Sequence, residues 1–215
     1  MALDVKISLI GTLYKYGEDR MKQKLKIIFL SISLLALSSC GINNIPTYDE
    51  NVKAKWSDVL NQYKRRADLV PNLVNTVKGY ASHEKQTLTE VIKARNAATQ
   101  MQIPKDVLTD EAAFRKFQKT QDQLSSALAR LMVVVERYPQ LKANQNFLAL
   151  QSQLEGTENR ISVARRDYIE AVRRYNTELR TFPGRIWKMI LYSEEKVKAN
   201  FTQPESVQSV PEVKF

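Results

Sequence analysis

From Phe147 to Phe182 an apolar residue returns at every seventh position: Phe147, Leu154, Ile161, Tyr168, Tyr175 and Phe182. A second row, offset by three, holds Leu150, Thr157, Ala164 and Ala171, and a third adds Val172 and Leu179. Such sustained heptad spacing predicts one uninterrupted helix packed along its length against partner helices. At about 1.5 Å per residue that helix is roughly 55 Å long, so only other long helices can cover its stripe.

The same period runs from Val52 to Val91. One row reads Val52, Val59, Arg66, Leu73, Tyr80, the next Trp56, Tyr63, Val70, Val77, Glu84, Val91, and the third Leu60, Ala67, Val74, Ala81, Leu88. A face three rows wide implies partners on more than one side, as in a bundle. Thr47 or Asp49 is expected to cap this region. Pro71, which lacks the amide donor and crowds the preceding turn, predicts a kink or break near Val70. After a loop at 101–109, Thr109 or Asp110 caps a further helix, with Asp110 and Glu111 in the first turn where the helix dipole favours acids. Its rows are Phe114, Gln121, Leu128, Val135 and Phe117, Leu124, Leu131, Tyr138. Tyr138-Pro139 ends it, and the short turn into Leu141 makes the next helix an antiparallel neighbour. Phe182-Pro183-Gly184 closes that helix, Ile186 to Leu191 supplies one short apolar helix, and the chain turns polar and irregular from Ser193. The expected fold class is all-α, an antiparallel four-helix bundle of long helices over residues 47–192, followed by an irregular tail, 193–215.

Four charged residues fall inside the apolar rows or beside them: Arg66, Glu84, Glu158 and Arg165. A lone buried charge is costly, so these are expected to pair within a helix or across the bundle. Two readings follow, a register-setting ion-pair network or a catalytic carboxylate site.

Residues 21–40 have a different character. Lys22, Lys24 and Lys26 precede an apolar run from Ile27 to Leu37, too short for the ~20 residues a bilayer span needs and suited to a signal peptide. Leu37-Ser38-Ser39-Cys40 resembles a bacterial lipobox, in which the cysteine is acylated and the signal is cleaved before it. Residues 21–39 are thus expected to be a lipoprotein signal peptide, Cys40 the lipidation site bearing palmitate-type chains, and 40–46 a tether. The alternative is an uncleaved membrane helix with a stray cysteine. Residues 1–20, with Asp4, Glu18 and Asp19, are unlike any n-region, so translation is expected to start at Met21. Gly41 stands where an inner-membrane retention aspartate would be, which favours the outer membrane.

Charge and composition narrow the functions. The formal charge is +10; residues 1–39 hold six basic and three acidic residues of it, leaving +7. The charges are interspersed and the aromatics lie on the apolar stripes, which argues against nucleic acid and suits attraction to an anionic membrane surface. With a single cysteine there is no internal disulfide, and with a single histidine, His83, no two-histidine zinc site. No Gly-rich phosphate loop and no Gly-x-Ser-x-Gly elbow is present, and the Glu-x-x-His pairs of a di-metal bundle cannot be built. No metal, no cofactor and no enzymatic activity are expected.

Longer motifs carry a resemblance. Gln62-Tyr63-Lys64-Arg65-Arg66-Ala67-Asp68-Leu69-Val70-Pro71-Asn72-Leu73-Val74, then Val77-Lys78-Gly79-Tyr80 and His83-Glu84, resemble the signature of the LemA family. Glu136-Arg137-Tyr138-Pro139-Gln140-Leu141-Lys142-Ala143, Leu150-Gln151, Thr157-Glu158, Arg160-Ile161, Tyr175-Asn176 and Phe182-Pro183 agree with it, over essentially all of 47–215. The resemblance implies a membrane-attached, all-helical bundle of four helices with a poorly defined molecular role. It also implies an uncleaved N-terminal hydrophobic helix in many members, from which the lipobox departs.

The expected function is therefore a lipid-anchored envelope protein facing the periplasm, whose bundle acts as scaffold or adaptor for other envelope proteins. The alternatives are an envelope hydrolase using Glu84, Glu136 or Glu158, and a polyanion or membrane-surface binder using Arg65, Lys78 and Arg173. Its partners would be the membrane, through Cys40, and envelope proteins. The C-terminal Val213-Lys214-Phe215 has the form that PDZ-type domains of quality-control proteases read; the alternative is that Val213 and Phe215 fold back onto the bundle.

Overall fold

In the computed structural model of the protein, the described residues are 41–202 and, before them, 21–24, 26, 28, 29 and 31; those in the 21–31 group are helical. Cys40, Val213 and Phe215 lie outside the described residues, as do residues 1–20, so the expectations placed on them find no structural counterpart. Among the described residues every regular element is a helix, and none is long and apolar enough to cross a membrane. Two units are distinguished, 1–44 and 45–215, and the second holds the core.

Among the described residues after 41, six helices follow one another: α1 (Asn44–Tyr80), α2 (Lys85–Gln100), α3 (Glu111–Val135), α4 (Pro139–Lys142), α5 (Gln145–Glu178) and α6 (Gly184–Ile190). α1 begins at Asn44, ahead of both expected caps. Pro46 sits in its first turn, where an amide would have no intrahelical partner in any case. Asp49, freed from capping, is instead buried between Lys53 and Lys198.

Of the expected kink or break near Val70, the break does not occur, because α1 continues through Pro71 as one helix. Proline removes the donor that would bond the Ala67 carbonyl four residues back. Arg95, from α2, supplies a replacement, its Nε donating to the Ala67 oxygen at 3.3 Å. The interruption falls instead at Ala81–Glu84, after Gly79 and through Ser82 and His83, all weak helix formers. One expected region is therefore two helices. Arg95→Ala is expected to lower stability by about 1 kcal/mol, the cost of a lost hydrogen bond to a half-buried acceptor. In a Pro71→Ala background, where the restored amide serves Ala67, urea titration should show that cost largely gone.

Local chemistry sets the other boundaries. The Asp110 carboxylate accepts from the Ala112 and Ala113 amides at 2.9 and 3.1 Å and starts α3. Asn144 starts α5 by accepting from the Phe147 amide, and its Nδ2 donates to the Tyr80 hydroxyl at 2.9 Å. α5 stops at Glu178, short of Phe182, which is 81% exposed and so leaves the expected apolar row. A Cβ on buried Gly184 would lie 2.2 Å from the Glu178 carbonyl oxygen, so only glycine lets α6 fold back this closely on the end of α5.

The core is in two apolar parts. One gathers Val52, Trp56, Val59, Phe114, Phe117, Tyr168 and Tyr175 with their neighbours. The other gathers Leu73, Val77, Leu88, Leu124, Leu131, Phe147 and Leu154. Residues 193–202, non-helical as their composition predicts, are pinned to the first part. Tyr168 donates to the Ala199 oxygen at 2.9 Å, Asn176 bonds both the Lys198 amide and its carbonyl, and the Ala199 amide donates to Leu108. Gln118 Nε2 donates to the Thr202 oxygen at 2.7 Å. Phe201 enters the aromatic cluster, its ring 4.9 Å from Phe114 and 5.6 Å from Tyr168.

Candidate functional site

Between the two apolar parts lies a polar layer. α1 places Arg66 between Tyr63 and Val70, α3 places Gln121 between Phe117 and Leu124, and α5 places Thr157 and Glu158 between Leu154 and Ile161. Arg66 is 1% exposed and is among the largest fully buried side chains of the protein. Its Nη1 donates to Ser125 Oγ at 2.6 Å and to Glu158 Oε1 at 3.0 Å; its Nη2 donates to the Gln121 carbonyl at 3.1 Å and to Gln121 Oε1 at 2.9 Å. The guanidinium also lies 5.0 Å from the Tyr63 ring centroid. One cation thereby ties three helices at one level. Glu158 keeps 41% of its side chain in solvent, so it neutralises Arg66 without being desolvated itself.

The four seam residues do not form one network. Arg66 and Glu158 meet. Glu84, ahead of α2, accepts from Arg137 at 2.9 Å and from the Tyr138 hydroxyl at 3.0 Å, at the far end of α3. Arg165 approaches Asp122 at 3.9 Å and covers the Phe201 ring at 4.3 Å. Gln121 and Ser125 complete the layer; Gln121 was visible as the one amide in the apolar rows of α3, whereas Ser125 had no such signal.

A second charged cluster sits near the start of α1. Lys198 Nζ is 2.7 Å from one Asp49 oxygen, Lys53 Nζ is 2.8 Å from the other, and Lys198 lies 5.0 Å from the Tyr175 ring. Burial by itself would raise the Asp49 carboxyl; the two lysines overcome it and hold the group below its ordinary range. The Tyr175 hydroxyl donates to Glu195, and burial, reinforced by that carboxylate, pushes it well above the usual phenol range.

The carboxylates a hydrolase would use are apart and engaged: Glu84 with Arg137, Glu158 with Arg66, Glu136 with Lys142 at 2.6 Å. His83 is exposed in the turn between α1 and α2. Among the described residues no three His, Cys, Asp or Glu side chains gather as metal ligands would. A groove of about 730 Å³ runs between α2 and α3, its charged lining made of four cations, Lys93, Arg115, Lys119 and Arg130, and two carboxylates, Glu90 and Asp122, with Glu90 reaching Arg130 at 3.4 Å. Of the surface cations set aside for polyanions, Arg65 and Lys78 are exposed. Arg173 is occupied by Glu170, whose carboxyl Arg173 and Arg174 draw down to about 2.

Arg66, the centre of the layer, lies in the Gln62-to-Val74 segment that carried the resemblance, and a family model described as the LemA family matches residues 55–215. The chain belongs to the LemA family. Magnetosome protein MamQ 2 of Paramagnetospirillum magneticum is 25% identical over 196 residues, covering 84% of this chain and 71% of the relative. Magnetosome protein MamQ of Magnetospirillum gryphiswaldense is 24% identical over 206 residues, with 85% and 76% covered. Protein LemA of Metamycoplasma hominis is 22% identical over 154 residues, with 71% and 66% covered. None of these names states a reaction. In this LemA-family chain the matched region takes in all of the polar layer and the strap 193–202, but begins after Asp49.

Proposed function

We propose that this LemA-family protein is an envelope lipoprotein, anchored through acylated Cys40 and facing the periplasm, whose helices form an antiparallel four-helix bundle that serves as a scaffold or adaptor. The observation that carries this reading is that, among the described residues, Glu84, Glu136 and Glu158 are each matched to a cation of their own and do not converge on one cleft. The cross-helix contacts support the bundle. Along α1, Trp56, Arg66 and Glu84 (just past its end) meet Phe114, Gln121 and Arg137 in rising order, while Trp56, Arg66 and Tyr80 meet Tyr168, Glu158 and Asn144 (the cap of α5) in falling order. α2 descends beside α3, with Glu90 at Arg130. Two of the relatives are named for the magnetosome, a place in the cell and not a chemistry, which is in keeping with this reading. The partners would be other envelope proteins, among them a PDZ-bearing quality-control protease read through Val213 and Phe215.

Cys40→Ser tests the anchor. The variant should accumulate as the uncleaved precursor and take up no radiolabelled palmitate, because the thiol that receives the lipid is gone. Processing and labelling at the wild-type level would overturn the lipoprotein reading. The scaffold role is tested by crosslinking in intact cells followed by purification of the full chain. Recovery of a defined envelope protein is expected, and recovery of the chain alone would count against it.

A further inference from the structure

α6 and its flanks are apolar in sequence, yet the fold leaves that surface uncovered. Phe182 is 81% exposed, Met189 74%, Ile190 63%, Leu191 53% and Ile186 40%, so five large apolar side chains within ten residues face outward. Their opposite side is fixed: Gly184 is wedged against Glu178, and Trp187 and Tyr192 pack on the core. The surface is therefore held in place and not a loose end. Contiguous exposed apolar area on an otherwise well-packed protein marks an interaction site.

Charge and position indicate what covers it. Between Leu179 and Ser193 the chain carries Arg180, Arg185 and Lys188 and no acid. Apolar side chains rimmed by cations are what an interfacial helix presents to anionic headgroups. The surface also lies at the end of the fold where α1 begins. Lys198 bridges Asp49 and the Tyr175 ring, and buried Ile45 belongs to the same core part as Leu179 and Trp187. Cys40 precedes Ile45 by five positions, which an extended chain spans in at most ~18 Å.

We propose that Phe182, Ile186, Met189, Ile190 and Leu191, with Arg180, Arg185 and Lys188, seat this end of the fold in the headgroup region of an anionic bilayer. This contact is separate from the lipid on Cys40, and the proposal rests on the anchored reading above. A bilayer contact at α6 fixes the orientation of the domain: the core stands away from the membrane, and the Glu84–Arg137 end points outward. A lipid tether alone leaves that orientation free.

The test uses the full chain reconstituted into vesicles of phosphatidylethanolamine and phosphatidylglycerol that carry a doxyl quencher on the acyl chains. An environment-sensitive fluorophore is attached through Met189→Cys or, as control, through Val133→Cys. Both positions are highly exposed, so both variants should melt like the wild type. Val133 lies 19 residues beyond Phe114 on α3, about 28 Å further along. Emission at 189 is expected to fall by about half or more, as interfacial helices sit ~5–10 Å deep, while emission at 133 stays unchanged. Replacing Arg180, Arg185 and Lys188 together by Gln, or using phosphatidylcholine alone, should remove most of that quenching. If the protein floats with the vesicles but position 189 is not quenched, the α6 contact is wrong and the anchor stands. If the wild-type chain takes up the thiol dye at Cys40 and does not float, the anchored reading fails and this proposal with it. Quenching at both positions, or self-quenching at 189 that follows protein density and ignores the lipid quencher, would overturn it in favour of a domain lying flat or of a second copy on this face.

Discussion

Arg66→Ala is expected to lower the free energy of unfolding by about 3–5 kcal/mol, the cost of emptying a large, fully buried side chain and leaving its polar acceptors without a donor. The guanidinium is 1% exposed and serves five acceptor atoms on two other helices. Its loss opens a cavity beside Tyr63 and strands the Gln121 side chain. Glu158→Ala should cost a similar amount, about 3–5 kcal/mol, since it leaves the buried guanidinium with the neutral acceptors of Ser125 and Gln121 and without its counter-charge. Arg66→Met combined with Glu158→Gln should recover part of the loss, because an apolar side chain of similar volume needs no counter-charge. Urea titration at neutral pH reads all three. A loss for Arg66→Ala of under about 1 kcal/mol, the range of an exposed pair, would show that the layer does not hold the helices together.

Trp56→Ala is expected to cost about 3–5 kcal/mol, as large aromatic truncations in packed cores do. Its ring centroid lies 5.5 Å from Phe114, 5.0 Å from Phe117, 5.4 Å from Tyr168 and 6.4 Å from Phe201, so four elements lose contact at once. Phe201→Ala removes only the outermost of these rings and should cost about 1–2 kcal/mol. Its more specific effect falls on the strap. The amides of Lys198 and Ala199, bonded to Asn176 and Leu108, should exchange hydrogen faster while those of α1 and α3 are unaffected. Unchanged exchange at these two amides would mean that the backbone bonds alone hold residues 193–202.

Most of the helix content was legible because burial follows the seven-residue rows: Val52, Val59, Leu73, Phe147, Tyr168 and Tyr175 are all in the core. The Asp110 cap was legible for the same local reason, a short side chain reaching amides two and three residues on. Contacts made at a distance in sequence were not. Pro71 reads as a breaker until Arg95, 24 positions later, is seen to satisfy the carbonyl it leaves behind. Arg66 and Glu158 stood out as charges among apolar residues, but their meeting 92 positions apart depends on how two helices align. Residues 193–202 looked merely polar because side chains from α3 and α5 hold their backbone, and no periodic pattern records that. α6 misled differently: its apolar character predicted the helix, while a row count cannot tell an inward face from an outward one.

The polar layer at Arg66 also divides the core by the order in which the chain emerges. Every buried residue of the part formed by Val70 to Leu154 has been made once Leu154 is made. The other part contains Ile45 from the first turn of α1 but draws on Tyr175, Leu179 and Phe201. During synthesis Trp56 is among the earliest core residues to appear and among the last to be covered. Until the strap arrives, the part around Trp56 presents an open aromatic face, while the part from Val70 to Leu154 already has all its buried side chains in hand.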